Sequence, residues 1–213
     1  MPDFSHEERF CGPVIGIDEA GRGPWAGPVT VAAVWLGGVD VASLPAGIDD
    51  SKKLKAPVRS GLAARLAAAP YVHHTVSVDV AAIDRIGILQ ATFRGMVLAA
   101  EGVAKKLQTT GLPMPVHALV DGNLLPPNMP LAATALVKGD SRSLSIAAAS
   151  IIAKASRDDI MAALHKDHPH YGWDRNMGYG TKAHVAGLDH YGISPHHRRS
   201  FKPVRRYLDL AGD

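Results

Sequence analysis

The chain has 213 residues, 46% of them hydrophobic and 20% charged, the balance of a globular protein with one core domain and room for a small appendage. A net charge of only +3, with a pI near 9.0, is weak evidence for a polyanionic partner, because mild basicity is common. The single cysteine, Cys11, rules out an internal disulfide and any cysteine-based zinc site. It fits a reducing cytosol. With neither a signal pattern at the N-terminus nor an apolar run long enough to span a bilayer, a cytoplasmic protein without a membrane partner is expected.

Residues 1–12 are polar and read as a loose segment. Residues 14–18 form a short apolar run that predicts a strand and ends in two adjacent carboxylates, Asp18 and Glu19. The turn Gly21-Arg22-Gly23-Pro24 follows, and then a second predicted strand over 29–36. Neighbouring residues on a strand point to opposite faces, so the two acids meet at one point only if the strand is already curling into its turn. The glycines do not make a dinucleotide fingerprint, which must open a helix, and a Walker loop would need Gly-Lys followed by Ser or Thr. What they leave is a turn whose backbone can approach a ligand closely, with Arg22 as a planar, permanently charged fork suited to phosphate. A plain β-turn with a solvated Asp-Glu pair accounts for this stretch equally well.

Asp49-Asp50-Ser51-Lys52-Lys53-Leu54 reads as a solvated loop ahead of a helix over 58–69, which Pro57 introduces and Leu62 and Leu66 pattern. Residues 71–80 predict a strand. The stripe Leu89, Phe93, Met96, Val97, Ala100, Ala104 and Leu107 predicts a long helix that Gly111 and Pro113 end. Residues 116–120 predict a strand ending in Asp121, and residues 132–137 another, followed by Lys138-Gly139-Asp140. The alanine-rich stretch over 143–164 predicts a helix whose small face presses on a sheet, with Lys154 and Asp158 paired on its surface. Ser150 reads as a packing residue in that helix. His165, His168 and His170 match no zinc spacing and read as a polar turn. Thr181 caps a short helix over 182–190. Residues 196–206 contain no acid, and five positive charges around Phe201 suit either a solvated surface or phosphate contacts.

Three predicted strands thus end in carboxylates: Asp18 with Glu19, Asp121 and Asp140. Strand ends in an open α/β sheet are where sites are built. Four acids at one rim repel one another unless cations sit between them, and hard oxygen donors suit Mg²⁺ or Mn²⁺. Two such ions roughly 4 Å apart can drive phosphodiester cleavage.

The ordered set Gly-Ile-Asp-Glu-Ala-Gly-Arg-Gly-Pro-x-Ala-Gly-Pro-Val from Gly16, Asp-Ser-Lys-Lys-Leu from Asp50, Val-Asp-Gly-Asn from Val120, Lys-Gly-Asp from Lys138, Ser-Ile-Ala-Ala-Ala-Ser-Ile-x-Ala-Lys from Ser145, Gly-Tyr-Gly-Thr from Gly178 and His-Arg-Arg-Ser-Phe from His197 strongly resembles bacterial ribonuclease HII, the type 2 ribonuclease H. The match covers residues 14–206. The resemblance implies an α/β, RNase H-like fold with a mixed five-stranded sheet flanked by helices. It divides the chain into a catalytic domain over 1–165 and a C-terminal helical extension over 166–213 that contributes to substrate binding. It implies a monomeric endonuclease acting on RNA–DNA hybrids and on duplex DNA with embedded single ribonucleotides, cutting 5′ of the ribonucleotide to leave 3′-hydroxyl and 5′-phosphate ends.

Catalytic and metal-binding roles for Mg²⁺ or Mn²⁺ carry over to Asp18, Glu19, Asp121 and Asp140. Substrate contacts carry over to Gly21, Arg22 and Gly23, and to Tyr179, which would stack on the sugar after the ribonucleotide. Phosphate contacts are expected of Lys52, Lys53, Arg198 and Arg199. Trp25 stands where Leu is commoner and is expected to alter packing beside the turn. Two alternatives share these residues: a four-carboxylate exonuclease, which would degrade all-DNA ends, and a non-catalytic binding protein, which would need no divalent ion.

Overall fold

A computed structural model describes residues 1–68 and 70–209. Apolar runs make the central strand, β1 (Val14–Ala20), and its neighbour β2 (Val29–Trp35), and every residue of β2 is buried, as strands covered on both faces must be. β3 (Val72–Val78), β4 (His117–Asp121) and β5 (Ala133–Leu136) complete one sheet in the order β3-β2-β1-β4-β5. The β1–β2 and β2–β3 pairs are antiparallel, and the β1–β4 and β4–β5 pairs are parallel. The sheet is therefore mixed and five-stranded, as expected.

Helices cover both faces. α3 (Ile88–Thr109) lays Met96, Ala99, Ala100, Val103 and Leu107 on Ile15, Ile17, Val31 and Ala33. On the other face, α4 (Leu144–Asp167) packs Ala147, Ala148, Ala149, Ile151 and Ala153 against Ala32 and Val34, with Leu62 and Leu66 of α1 (Ala56–Leu66) alongside. The small face of α4 does press closely: a Cβ built at Gly16 would fall 2.0 Å from the carbonyl carbon of Ser145.

Three expectations are corrected. β1 stays paired with β2 through Ala20, so Asp18 and Glu19 lie within the strand ladder, opposite Ala32 and Val31, and the strand does not curl into its turn at the acids. The run over 71–80 ends at Val78, because Asp79 caps a separate helix, α2 (Val80–Ile86), by accepting from the Ala82 N–H at 2.7 Å. Gly87, at φ 80°, then breaks α2 from α3. The helix over 58–69 begins two residues early and ends at Leu66, and residue 69 lies outside the described residues.

The N-terminal segment is anchored as well. Asp3 bridges to Ser143, and buried Glu7 accepts from Ser143 Oγ at 2.6 Å and from the Ser145 N–H at 2.9 Å. A carboxylate on the first turn of a 24-residue helix satisfies an orphan amide and opposes the helix dipole. Glu7→Ala is expected to lower stability by about 2 kcal/mol, read as the midpoint of urea unfolding.

α5 (Trp173–Asn176), α6 (Lys182–Tyr191) and α7 (Lys202–Asp209) follow α4 in the C-terminal part of the chain. Tyr171, Trp173, Leu188 and Tyr207 pack with Ala26 and Met161, so this region shares its core with the segment after the glycine turn. Among the described residues no single helix is long and apolar enough to cross a membrane.

Candidate active site

The sheet register gathers the acids. β1 and β4 are parallel with Ile17 opposite Val120, so Asp18 and Asp121 are the next residues at the same end of adjacent strands. β5 runs parallel on the far side of β4, with Leu136 opposite Asp121, and leads through left-handed Lys138 (φ 54°) into a 3-10 turn, Gly139–Ser141, that carries Asp140. The Gly139 N–H donates to Asp121 Oδ1 at 2.7 Å, which ties the third acid to the turn holding the fourth. Asp18 and Asp140 are buried, at 4% and 6% exposure.

Burial pushes the Asp18 carboxyl well above the ordinary range, and Glu19 and Asp121 add to the rise. Burial also lifts Glu19, against the pull of Arg22, which stands 3.4 Å away, and Asp121 adds to the lift. Asp140 is raised by burial and by Asp121 and Asp50, with Lys52 opposing. Burial pulls Lys52 down, but Asp18, Asp140, Asp50 and Asp121 together outweigh it and hold the ammonium above its usual value. Crowded hard-oxygen donors with excess negative charge are the donor set of a divalent-cation site, so the residues fit Mg²⁺ or Mn²⁺. As they stand, no three of the described acidic, histidine or cysteine side chains converge into a complete ligand set. Asp18 Oδ1 accepts from the Glu19 N–H and Asp121 Oδ1 from Gly139, so a shared ion would draw on the remaining oxygens.

The glycine turn adjoins this rim. Gly21 has φ 95°. Its carbonyl and that of Arg22 accept from Arg198 Nη2 at 2.6 Å and Nη1 at 2.9 Å. In a trans peptide the N–H points away from the preceding carbonyl, so the Arg22 and Gly23 amides face away from Arg198. Arg22 is half exposed. A Cβ built at Gly23 would stand 3.4 Å from Tyr179 Cε1, so the tyrosine ring borders the turn. That ring is itself 51% exposed. Trp25 braces the same segment: its N–H donates to the Gly178 carbonyl at 2.8 Å, and its indole fills the space beside Gly180.

The two lysines reach different acids. Lys52 Nζ lies 3.8 Å from Asp140, while Lys53 pairs with Asp49 at 3.0 Å. Their loop is pinned from below, where Ser51 Oγ meets Ser150 Oγ at 2.8 Å and buried Arg59 donates to the Ser51 and Leu54 carbonyls. Ser150 is thus a polar link between this loop and Asp18, beyond the packing role read from its alanine neighbours. Asp158 accepts from both Lys154 and Arg59, so the expected surface pair is part of the loop's anchor.

One expectation fails plainly. Arg198 is fully buried, and its guanidinium is spent on the carbonyls of Gly21, Arg22, Gly27 and Pro28, so it frames the turn and cannot meet a phosphate. Arg199 is exposed, and its backbone N–H is held by Asp84.

The sequence reading also missed Arg157. Buried in α4, it donates to the carbonyls of Ala26, Pro28 and Met177 and so ties the turn's far limb to the segment before Tyr179. A signal existed: Arg157 lies seven residues after Ser150, on the face of α4 that the fold buries.

Two further residues were missed, His184 and His197, whose Nε2 atoms are 2.9 Å apart in the tail's core. Burial drives His197 down to about 3, with His184, His168 and His196 adding to the drop, and burial lowers His184 as well. His168 and His170 pack against Tyr171 at the edge of this core, and His165, His168 and His170 form no ion-binding set. The folded value of His197 lies below the ordinary 6.5, so its stability contribution is intact above pH 6.5 and is lost as pH falls toward 3. Wild type is expected to lose about 2 kcal/mol from this residue between pH 7 and pH 5, a loss that His197→Gln abolishes in paired urea titrations.

The ribonuclease HII family model matches residues 15–204. The chain belongs to the ribonuclease HII family. Ribonuclease HII of Rhodospirillum rubrum is 52% identical over 211 residues, covering 98% of this chain and 92% of the relative. That of Jannaschia sp. is 48% identical over 207 residues, covering 97% and 98%. Among solved structures, ribonuclease H2 from Pyrococcus horikoshii superposes with a TM-score of 0.72 at 23% identity, over 93% of this chain and 98% of that one. RNase HII from Archaeoglobus fulgidus, solved in complex with PCNA, gives 0.69 at 26% identity over 89% and 95%. Bst-RNase HIII in complex with Mn²⁺ gives 0.73 at 21% identity over 93% and 70%, a likeness of fold. The chain is therefore a nuclease of the ribonuclease H class with activity on RNA–DNA hybrids, in a family that depends on metal.

Proposed function

We propose that this chain cuts duplex DNA at single embedded ribonucleotides as well as the RNA of hybrids, hydrolysing the phosphodiester 5′ of the ribonucleotide. The observation that carries the reading is the register that ends Asp18 and Asp121 side by side on adjacent parallel strands and ties Asp121 to the turn of Asp140, beside a glycine turn bordered by an exposed tyrosine. Asp18, Glu19, Asp121 and Asp140 would hold two Mg²⁺ or Mn²⁺ ions. Bound there, such ions supply the charge that activates water and steadies the leaving oxygen, giving 3′-hydroxyl and 5′-phosphate ends.

The chain's own residues choose the bond. The Arg22 and Gly23 amides and the Arg22 fork read the 2′-hydroxyl, the group that separates RNA from DNA, together with the adjacent phosphate. Tyr179 stacks on the next sugar, where a second hydroxyl disturbs the fit. Lys52, Lys53 and Arg199 meet flanking phosphates, and the helical extension over 166–213 contributes to holding the duplex. The enzyme works as a monomer in the cytoplasm.

The test is a labelled duplex with one ribonucleotide, incubated with and without Mg²⁺ and mapped to the base. A single Mg²⁺-dependent cut 5′ of the ribonucleotide is expected. Degradation of a blunt all-DNA control would favour an exonuclease, and a cut that survives EDTA would remove the metal from the reading.

A further inference from the structure

His184 and His197 are almost without solvent exposure, and no charged side chain donates to or accepts from either ring. Their hydrogen bonds nonetheless run in one direction only. The Ser194 N–H donates to His197 Nδ1 at 2.9 Å, so the His197 proton sits on Nε2. That proton goes to His184 Nε2 at 2.9 Å, which also accepts from Trp173 Nε1 at 3.2 Å. His184 therefore carries its own proton on Nδ1 and gives it to the carbonyl of Tyr179 at 3.0 Å. At the other end, His197 is bonded directly to Arg198, whose guanidinium grips the Gly21 and Arg22 carbonyls and whose N–H donates to the Trp25 carbonyl at 2.8 Å. An unbroken chain of buried donors and acceptors thus joins the backbone of the exposed tyrosine to the glycine turn it borders.

We propose that the His184–His197 pair is a strut that sets the position of Tyr179 relative to the Gly21–Gly23 turn, which makes both histidines positioning residues for the slot between them. The inference rests on the reading of Tyr179 and the turn as the two walls that hold the ribonucleotide. A merely apolar core at this place would hold the tail together without aiming the Tyr179 carbonyl. Two imidazoles with complementary protons fix its direction as well as its distance. Adding a proton to His184 Nε2 would set it against two donors, which agrees with the downward shift of both rings.

The test is a double-mutant cycle of His197→Leu with Tyr179→Ala on the single-ribonucleotide duplex. His197→Leu alone is expected to lower kcat/KM about ten-fold, and less than two-fold when Tyr179 is already alanine, because its effect passes through that ring. His197→Gln, which keeps a donor toward His184, is expected to recover most of the loss. Equal losses in both backgrounds, or no loss at all, would overturn the strut. His184→Gln breaks the chain from its other end and replaces His197→Leu in the cycle if that variant does not fold. Hydrogen exchange reads the strut without substrate: residues 178–181 are expected to exchange about ten-fold faster in the variant, and unchanged protection overturns the inference whatever the activity. A wild type that fails to cut the duplex, yet shows this exchange difference, sinks the ribonucleotide reading and leaves the strut standing.

Discussion

Asp18→Asn is expected to lower turnover on the single-ribonucleotide duplex by on the order of 10³-fold, about 4 kcal/mol of lost transition-state stabilisation. Binding, measured by anisotropy in Ca²⁺, should stay within about three-fold, because the phosphate and sugar contacts proposed above lie on the turn, Tyr179 and the lysines. The substitution is close to isosteric. Asn can still accept from the Glu19 N–H, which lies 2.7 Å from Asp18 Oδ1, so the strand end keeps its shape. What disappears is a negative charge that is buried and pressed by Glu19 and Asp121. The same change should therefore leave the melting temperature unchanged or higher in buffer without divalent ions, since it relieves repulsion that the folded chain carries. Near-normal turnover in this variant would remove Asp18 from the site. A large drop in melting temperature would show that the acid serves the fold.

Gly21→Ala is expected to destabilise the protein by about 3 kcal/mol or more, roughly 6–12 °C in melting temperature for a chain of this size, and to weaken duplex binding with it. Two causes act together. Gly21 has φ 95°, outside the range an L side chain adopts readily. A Cβ there would also fall 1.9 Å from Arg157 Nε and 2.4 Å from its Cδ. Arg157 cannot step aside cheaply, because its three nitrogens are held by the carbonyls of Pro28, Met177 and Ala26. Moving it leaves a buried cation unpaired. Burial has already drawn Arg157 down to about 10 and Arg198 to about 9, so both remain charged at neutral pH behind the turn. Gly47→Ala separates the two causes: Gly47 has φ 91° and open space around it, so only the backbone strain of about 1 kcal/mol applies. Equal losses for the two variants would mean that Arg157 yields freely.

The strands were legible because their apolar runs end at glycine, proline or an acid, and the acids stood out because they sit where those runs stop. α2 was not, since one residue, Asp79, decides whether the run after β3 continues as strand or turns into helix. The N-terminal segment looked loose because Glu7 is a surface residue by type, and its partners Ser143 and Ser145 lie more than 130 positions away in the chain. Arg198 was misread for the same reason. An arginine between arginine and histidine looks like a phosphate contact until the chain folds a wall of carbonyls around it.

What the amino-acid order by itself determined is the family, the sheet and which strands end in an acid, because local apolar patterns and ordered motifs are properties of neighbouring residues. Tertiary structure alone decided which basic and polar side chains stay at the acidic rim and which turn inward as braces: Arg157 and Arg198 behind the glycine turn, Arg59 and Ser150 under the lysine loop, His184 and His197 beneath Tyr179. The physical reason is that a guanidinium or imidazole is defined by the groups that surround it. Those groups come from segments that meet only after the sheet and its helices have closed.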